Sequence, residues 1–415
     1  MPSDLPPIPG RSRATYSVGG KQPKFRRRHR SATPSSRNVY RAHGRGGGGR
    51  RWPKRLLVGA LVLIVLLLVM GTGGYFYVNS RLDGIPRVSV PALTPEQSGK
   101  PIDILLVGSD SRACVTTAAA AKAFGSSSTQ TGQRADVIIV MRLISSTGQV
   151  EMLSIPRDTW VPIAGTSSSN KINAAFNNGP NQLVQTVQDN FHIPINHVMM
   201  ANFCGFQGMV NALGGISLDF PDPVRDQLSG LNIRTTGCQL LNGAQALALV
   251  RSRHLYYYKN KVWNYDGDSD WSRIRRQQAF FHSLLNKVHG VFPDIFTLNS
   301  FLGATVSDLT IDSSLGSGEL ISLGLKYHSL SESGLVTSVL PTYAQTIDQQ
   351  DALLAAEPAA SRTIARFLSF GLPKTATARK SGSKSSSTTT TTTPPSLVVT
   401  DTPQSLPEPW NPVPC

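Results

Sequence analysis

Apolar and polar positions divide the chain into a few readable periods. Residues 102–107, 137–143 and 150–155 are short, β-branched apolar runs bounded by turn residues, the pattern of buried strands. Only residues 145–149 separate the last two, which predicts an antiparallel hairpin. In a hairpin the start of the first strand lies beside the end of the second, so Asp136 and Arg157 fall on one rim of the sheet. If the strand at 102–107 also runs antiparallel to the next, Asp110, just past its end, joins them. A helix-like stretch, GAQALALV, leads into Arg251 and Arg253. A second helix is predicted from near Arg273, capped within residues 269–272, with Ile274, Phe281, Leu284, Leu285 and Val288 as its buried stripe.

The longest apolar run is of another kind. Residues 56–78, 23 in all, carry no charge. At about 1.5 Å per residue a helix of that length reaches roughly 34 Å, against a hydrocarbon core of about 30 Å, so a transmembrane helix is predicted. A cleaved signal peptide is the rival reading, but it has a short basic region and an apolar core of about 7 to 15 residues. Here 55 residues precede the run. The positive-inside rule then puts the N-terminus in the cytoplasm and the chain beyond the span outside, as a single-pass membrane protein.

Charge changes the picture less than its total suggests. A net charge of +16 points to nucleic acid, but residues 1–55 hold 15 Lys or Arg against the single acid Asp4, leaving only +2 on the other 360 residues. A polybasic stretch such as RRRHR before a span is the ordinary topology signal and favours anionic membrane lipid. No helix-turn-helix pattern accompanies it, so no nucleic-acid partner is expected. Residues 1–55, rich in Gly, Ser and Pro, are predicted to be disordered and 79–100 to form a linker. Residues 101–373 make one α/β domain, a mixed central sheet flanked by helices, and 374–415 a disordered Ser/Thr/Pro tail. Within the domain, 113–133 and 254–268 read as flexible insertions. Cys204 and Cys238, both inside the folded part of an exported domain, are the expected disulfide; the alternative makes Cys204 a small buried residue beside Phe203 and Phe206.

Five segments carry the candidate chemistry: ILLVGSDSR, RADVIIVMRL, LSIPRD, ALALVRSRH and DWSRIRRQQ. Two carboxylates and several arginines converging on one rim suit a metal-bound diphosphate. Magnesium takes hard oxygen ligands, one or two carboxylates with phosphate and water completing the shell, and Asp110 and Asp136 fit that set. The plainer reading gives Asp110 an Asx turn and pairs Asp136 with Arg134 or Arg142. Arginine grips phosphate oxygens in pairs, and Arg134, Arg157, Arg251, Arg253 and Arg273 are the candidates. If the chain turns extended at Arg251, that residue and Arg253 share a face; if it stays helical they diverge. Arg273, Arg276 and Gln277 lie one turn apart at the positive end of the second helix, an anion seat, with a structural salt bridge as the alternative for Arg253 and Arg276.

With KINAAF at 171–176 and NALGGI at 211–216, these segments resemble the LytR-CpsA-Psr family over residues 103–288. The resemblance implies an envelope phosphotransferase with a cytoplasmic tail, one span and an external catalytic domain. Such an enzyme moves a glycopolymer from a polyprenyl diphosphate carrier onto peptidoglycan or a related wall polymer. It implies Mg2+ (or Mn2+) held by Asp110 and Asp136, catalysis by the five arginines above, and substrate contacts from Arg112, Lys171, Asn173, Arg276 and Gln277. It also implies an apolar pocket for the prenyl chain, which the sequence does not locate. The competing function is a membrane-anchored transcriptional regulator acting through the basic N-terminal segment. Two departures stand out: the Ala/Ser-rich stretch between Asp110 and Asp136, and the aromatic stretch between Arg253 and Arg273, which can contact glycan or simply pack as a loop. A calcium loop at Asp266, Asp268 and Asp270 fails because Trp271 stands where glycine is required, and the S-x-x-K pair Ser168 and Lys171 lacks its partners.

Overall fold

The computed structural model describes residues 52–109, 134–267, 269–289, 299–303, 306, 309–372 and 411–415. The chain divides into two compact units, Met1–Ile64 and Val65–Cys415. Helix α1 (Trp52–Asp83) contains the predicted span, and among the described residues Leu63–Asp83 is long and apolar enough to cross a bilayer. The side chains from Leu63 to Met70 all stand exposed, a continuous apolar surface that water would penalise and lipid would not.

After α1 come strands β1 (Arg87–Val88), β2 (Ile102–Ser109), β3 (Ala135–Ile144) and β4 (Gln149–Ser154). Two short strands, β5 (Trp160–Pro162) and β6 (Ser169–Lys171), pair with each other, and a 3-10 turn (Ile172–Asn178) leads to α2 (Pro180–Phe191) and β7 (His197–Ala201). Next are α3 (Phe203–Ala212), β8 (Ile216–Phe220), β9 (Val224–Asp226), β10 (Leu231–Ile233), β11 (Gly237–Leu241) and α4 (Gly243–Arg251). Strands β12 (Tyr256–Lys259) and β13 (Val262–Tyr265) precede α5 (Ser269–His289) and β14 (Leu309–Asp312). The rest is α6 (Ser317–Tyr327), β15 (Leu335–Val339), the hairpin β16 (Thr342–Ile347) and β17 (Gln350–Ala355), α7 (Ala359–Ser369) and β18 (Val413–Pro414).

Seven strands form a mixed sheet in the order β1-β14-β7-β2-β3-β4-β15. The expected hairpin is β3–β4, and β2 does run antiparallel to β3. Alternation along the strands sorts the two faces. Leu105, Val107, Ile138, Val140 and Leu153 pack with Leu183, Val184 and Val187 of α2 and Phe367 of α7. Ile104, Ile139, Leu143 and Met152 meet Phe281 and Leu285 of α5 and Leu323 of α6. A second core joins α3, α4, α5 and β8 through Val210, Leu247, Phe280 and Leu218.

Three expectations need correction. Within the stretch 254–268, expected as a flexible insertion, residues 256–265 form an ordered β-hairpin: Asn260 and Lys261 both take positive φ, the two-residue turn that matches strand twist, and β12 extends the sheet of β9. The Ser/Thr/Pro tail does not stay detached at its end, because β18 pairs with β8. That pairing brings Cys415 to Cys238, 6.0 Å apart Cα to Cα and disulfide-bonded, so the Cys204–Cys238 pairing is wrong. Cys204 is disulfide-bonded too, not a free buried thiol. The predicted insertion at 113–133 lies outside the described residues.

Candidate active site

The rim that the hairpin rule predicts contains a β-bulge. Gly108 pairs with Val137 and Ser109 with Ala135, so Asp136 is passed over and its side chain is released from the ladder's alternation. Glycine is needed at 108, since a Cβ there would lie 2.9 Å from that of Val137. The freed Asp136 carboxylate accepts a hydrogen bond from Arg157 Nη1 in a half-buried ion pair. Asp136 thus pairs with Arg157, not with Arg134 or Arg142; Arg142 is buried against Asp103 at 2.6 Å. Asp110 and Arg112 lie outside the described residues. Arg134, just before β3, is exposed and does not line the cavity described below.

Sequence reasoning missed Asp158, although it directly follows Arg157. Its carboxylate lies 3.5 Å from Arg157 Nε, 3.6 Å from Lys171 Nζ and 3.8 Å from Arg253 Nη2. Those separations make a Coulombic hub rather than strong hydrogen bonds, and it holds three cations from three segments in one place. The KINAAF turn fixes the same loop through its backbone, with Ile172 N–H donating to Thr159 O at 2.7 Å and Asn173 N–H to Arg157 O at 3.1 Å. Asn173 is buried and outside the cavity lining, so it positions Arg157 rather than meeting substrate.

Helix α4 begins in a capping box between Asn242 and Gln245, and it stops where Ser252 turns extended at φ −61°, ψ 124°. The extended alternative therefore holds, and Arg251 and Arg253 both face the same cavity. The Arg251 guanidinium lies over the Phe203 ring, 4.3 Å from its centroid. Asp226, also missed, anchors the turn: its Oδ2 accepts from Ser252 Oγ at 2.6 Å and from the N–H groups of Arg253 and His254, each at 3.1 Å. Burial alone would raise its pKa, but the Ser252 hydroxyl and the N–H groups of His254, Ser229 and Leu228 outweigh that and hold it below the ordinary carboxylate range.

Helix α5 starts at Ser269, about a turn earlier than predicted, and its arginines part company. Arg273 and Gln277 line the cavity, Gln277 donating to Val250 O at 3.1 Å. Arg276 is fully buried, paired with Asp266 at 2.8 Å and donating to Ser252 O at 2.6 Å. It is not a substrate contact, because three residues on it points into the α4–α5 interior. Burial draws its pKa down against the opposing pull of Asp266.

All of this opens onto a cavity of about 940 Å³. Its charged lining is Asp136, Arg157, Arg251, Arg253 and Arg273, with Ser109 next to them. The rest of the lining is mostly apolar and includes Phe203, Phe280, Phe281, Leu284 and Leu320, with Gly71, Gly74, Tyr75 and Val78 of α1. Among the described residues the lining holds four arginines and one carboxylate, Asp136, with Lys171 and Asp158 paired nearby, so positive charge is in excess for an anion.

Among the described residues a second group of ligand-type side chains, Glu96, His197 and Glu319, sits elsewhere, with ligand atoms within 4.8 Å of one another. It borders a separate cavity of about 370 Å³. His197 lies 2.5 Å from Glu96 through Nε2 and 3.1 Å from Asp312 through Nδ1. Burial lowers its pKa, but Asp312 and Glu96 more than compensate, so it is raised and the imidazolium is favoured. Glu96, Asp312 and Glu319 thus gather around one imidazole, away from the Asp110 and Asp136 pair that the sequence pointed to as metal ligands.

The sequence pattern of the LytR_cpsA_psr family matches residues 79–366. The chain is similar to the Corynebacterium glutamicum "Probable cell wall biosynthesis protein LcpB", 31% identical over 302 residues covering 71% of this chain and 68% of that protein. It is also similar to the Bacillus subtilis polyisoprenyl-teichoic acid–peptidoglycan teichoic acid transferase TagV, 32% identical over 255 residues, 58% of this chain and 59% of that one. Among solved structures, the fold matches that of a LytR-Csp2A-Psr enzyme from Actinomyces oris with a TM-score of 0.55, at 24% identity, over 68% of this chain and 95% of the other.

Proposed function

The chain belongs to the LytR-CpsA-Psr family, and on that premise we propose that it is a membrane-anchored phosphotransferase moving a glycopolymer from a polyprenyl diphosphate carrier to peptidoglycan or a related wall acceptor. The observation that carries this reading is the cavity: one end apolar and walled by the membrane-type helix α1, the other ringed by arginines. A prenyl chain can lie inside with its diphosphate at the arginines. The N-terminus is then cytoplasmic and the catalytic domain external, in keeping with the basic segment before α1 and the disulfide after it.

The reaction asks for positioning and charge stabilisation more than covalent work. An acceptor hydroxyl oxygen bonds to the phosphorus that carries the glycan, and the P–O bond to the second phosphate breaks. The lipid departs as a monophosphate and the hydroxyl proton is lost to solvent. Arg157, Arg251, Arg253 and Arg273 stabilise the equatorial and leaving oxygens, Asp158 keeps Arg157 and Arg253 together, and Gln277 borders the same space. Asp136, freed from the ladder and lining the cavity, would offer a magnesium or manganese ion a hard oxygen ligand, with Asp110 as its expected companion. Such an ion, when bound, neutralises charge on the diphosphate oxygens.

The test uses the full chain in lipid nanodiscs with a polyprenyl-diphosphate-linked oligosaccharide, peptidoglycan fragments and magnesium, scoring release of polyprenyl phosphate. Asp136→Ala is expected to lower turnover about a hundredfold or more. Arg157→Lys is expected to fail as well, because a point charge cannot replace a two-pronged grip. Chelator stops the wild type. Near-wild-type turnover in both variants sinks this reading.

A further inference from the structure

The β12–β13 hairpin joins the two halves of the arginine ring, leaving the site after Arg253 and returning before Arg273. Its register sets Tyr256 opposite Tyr265 and Tyr258 opposite Trp263, so all four rings share one face while Tyr257 turns inward to the second core. The rings meet in tilted pairs with centroids 5.2 and 5.3 Å apart. They nonetheless remain 38 to 46% exposed. Register alone does not need this, since β-branched pairs would set it without displaying aromatic area to water.

The ladder has a cationic border. The Arg225 guanidinium lies over Trp263, 4.0 Å from the ring centroid, and Lys259 and Lys261 stand exposed at the turn, the first ending β12 and the second within the turn itself. Beside it a groove of about 820 Å³ runs between Tyr258, Trp263, Arg225, Asn232 and Arg234. The groove is tied to the active site through one strand: Asp226 of β9 holds the Arg253 backbone, and its neighbour Arg225 pairs with Tyr256 and covers Trp263.

We propose that this face is a docking platform for the acceptor, a polysaccharide strand bearing carboxylate substituents whose sugar rings stack on the aromatic ladder while its acids meet Arg225, Arg234 and the turn lysines. This rests on the transferase reading. The donor already has two handles, its lipid in the cavity and its diphosphate at the arginines. The acceptor has neither, and an aromatic surface with cations at its edge, tied to the Arg253 backbone through β9, matches its chemistry.

The full chain in nanodiscs, with the double change Tyr258→Val and Trp263→Val, provides the test, because β-branched residues keep the strands while removing the rings. The probe is soluble peptidoglycan glycan strands with their stem peptides, measured for binding and as acceptor. Expected are binding weakened about tenfold or more, or roughly 1.4 kcal/mol, a matching rise in acceptor KM with kcat at saturation held, and recovery in Trp263→Phe with Tyr258 intact. Unchanged strand binding overturns the proposal, and so does a rise in donor KM instead, which would assign the ladder to the donor glycan. Failure of the transferase reading shows separately, as a wild type that releases no polyprenyl phosphate, while the binding measurement still tests the platform.

Discussion

Arg273 and Arg276 are three positions apart on α5, and the structure gives them opposite work. The first lines the cavity; the second is sealed against Asp266 and the Ser252 carbonyl. Breaking a buried pair by removing one partner strands a charge, so Arg276→Ala is expected to destabilise the fold by about 3 to 5 kcal/mol in denaturant titrations. Arg273→Ala is expected to leave stability nearly unchanged and lower turnover about a hundredfold. Equal effects of the two on both measurements would refute the division. Sequence placed both residues at a positive helix end but could not tell them apart, because the choice depends on where Asp266 lies. Asp158 and Asp226 escaped notice for the same reason. An acid that organises arginines is defined by the cations that converge on it from distant segments, and a single chain position carries no trace of them.

Elements were more legible than residues wherever a local period decided them. The β3–β4 hairpin and the shared rim of Asp136 and Arg157 follow from alternation and loop length. The aromatic stretch was misread because its turn, Asn260-Lys261, lacks the glycine that usually marks positive φ. Cys415 was beyond local reasoning, since β18 crosses 177 residues to reach Cys238. The hub that ties Glu96, β7, β14 and α6 together is likewise invisible in sequence, and it makes stability depend on pH. Asp312 is held at about 2, because bonds from His197, Ser314 and the Val198 N–H outweigh its burial. Its contribution is therefore present above the ordinary value of 3.8 and lost as pH falls through about 2. His197 is raised, so its contribution is complete below 6.5 and fades as pH rises through its higher folded value. Glu319, raised by burial and by Glu96 beside it, faces the same imidazolium. Thermal melts of His197→Gln should show a larger loss against wild type at pH 5 than at pH 9. A difference that grows with pH would reverse the sign and exclude a charged His197.

At the scale of the molecule, two features compete to explain what the chain does: the basic segment at residues 1–55 and the cavity behind the arginines. Net charge favours the first and suggests a regulator that touches nucleic acid. The cavity favours the second, since an apolar space of about 940 Å³ walled by a membrane-type helix has no use in that role. Gly74 separates the two readings. It lines the cavity on α1, and a Cβ added there meets nothing within 4 Å, so Gly74→Leu gains helix propensity, about 0.8 kcal/mol, while its longer side chain intrudes on the space a prenyl chain would fill. Cells relying on the Gly74→Leu protein should attach less glycopolymer to the wall, and the purified variant should show a raised KM for the lipid-linked donor with its melting temperature intact. Deleting residues 2–50 should leave attachment close to normal once membrane levels are matched, because the arginines, Asp136 and the cavity all lie beyond them. The opposite pair of results, with the deletion crippling and Gly74→Leu silent, would place function in the basic segment and remove the reason for a lipid donor.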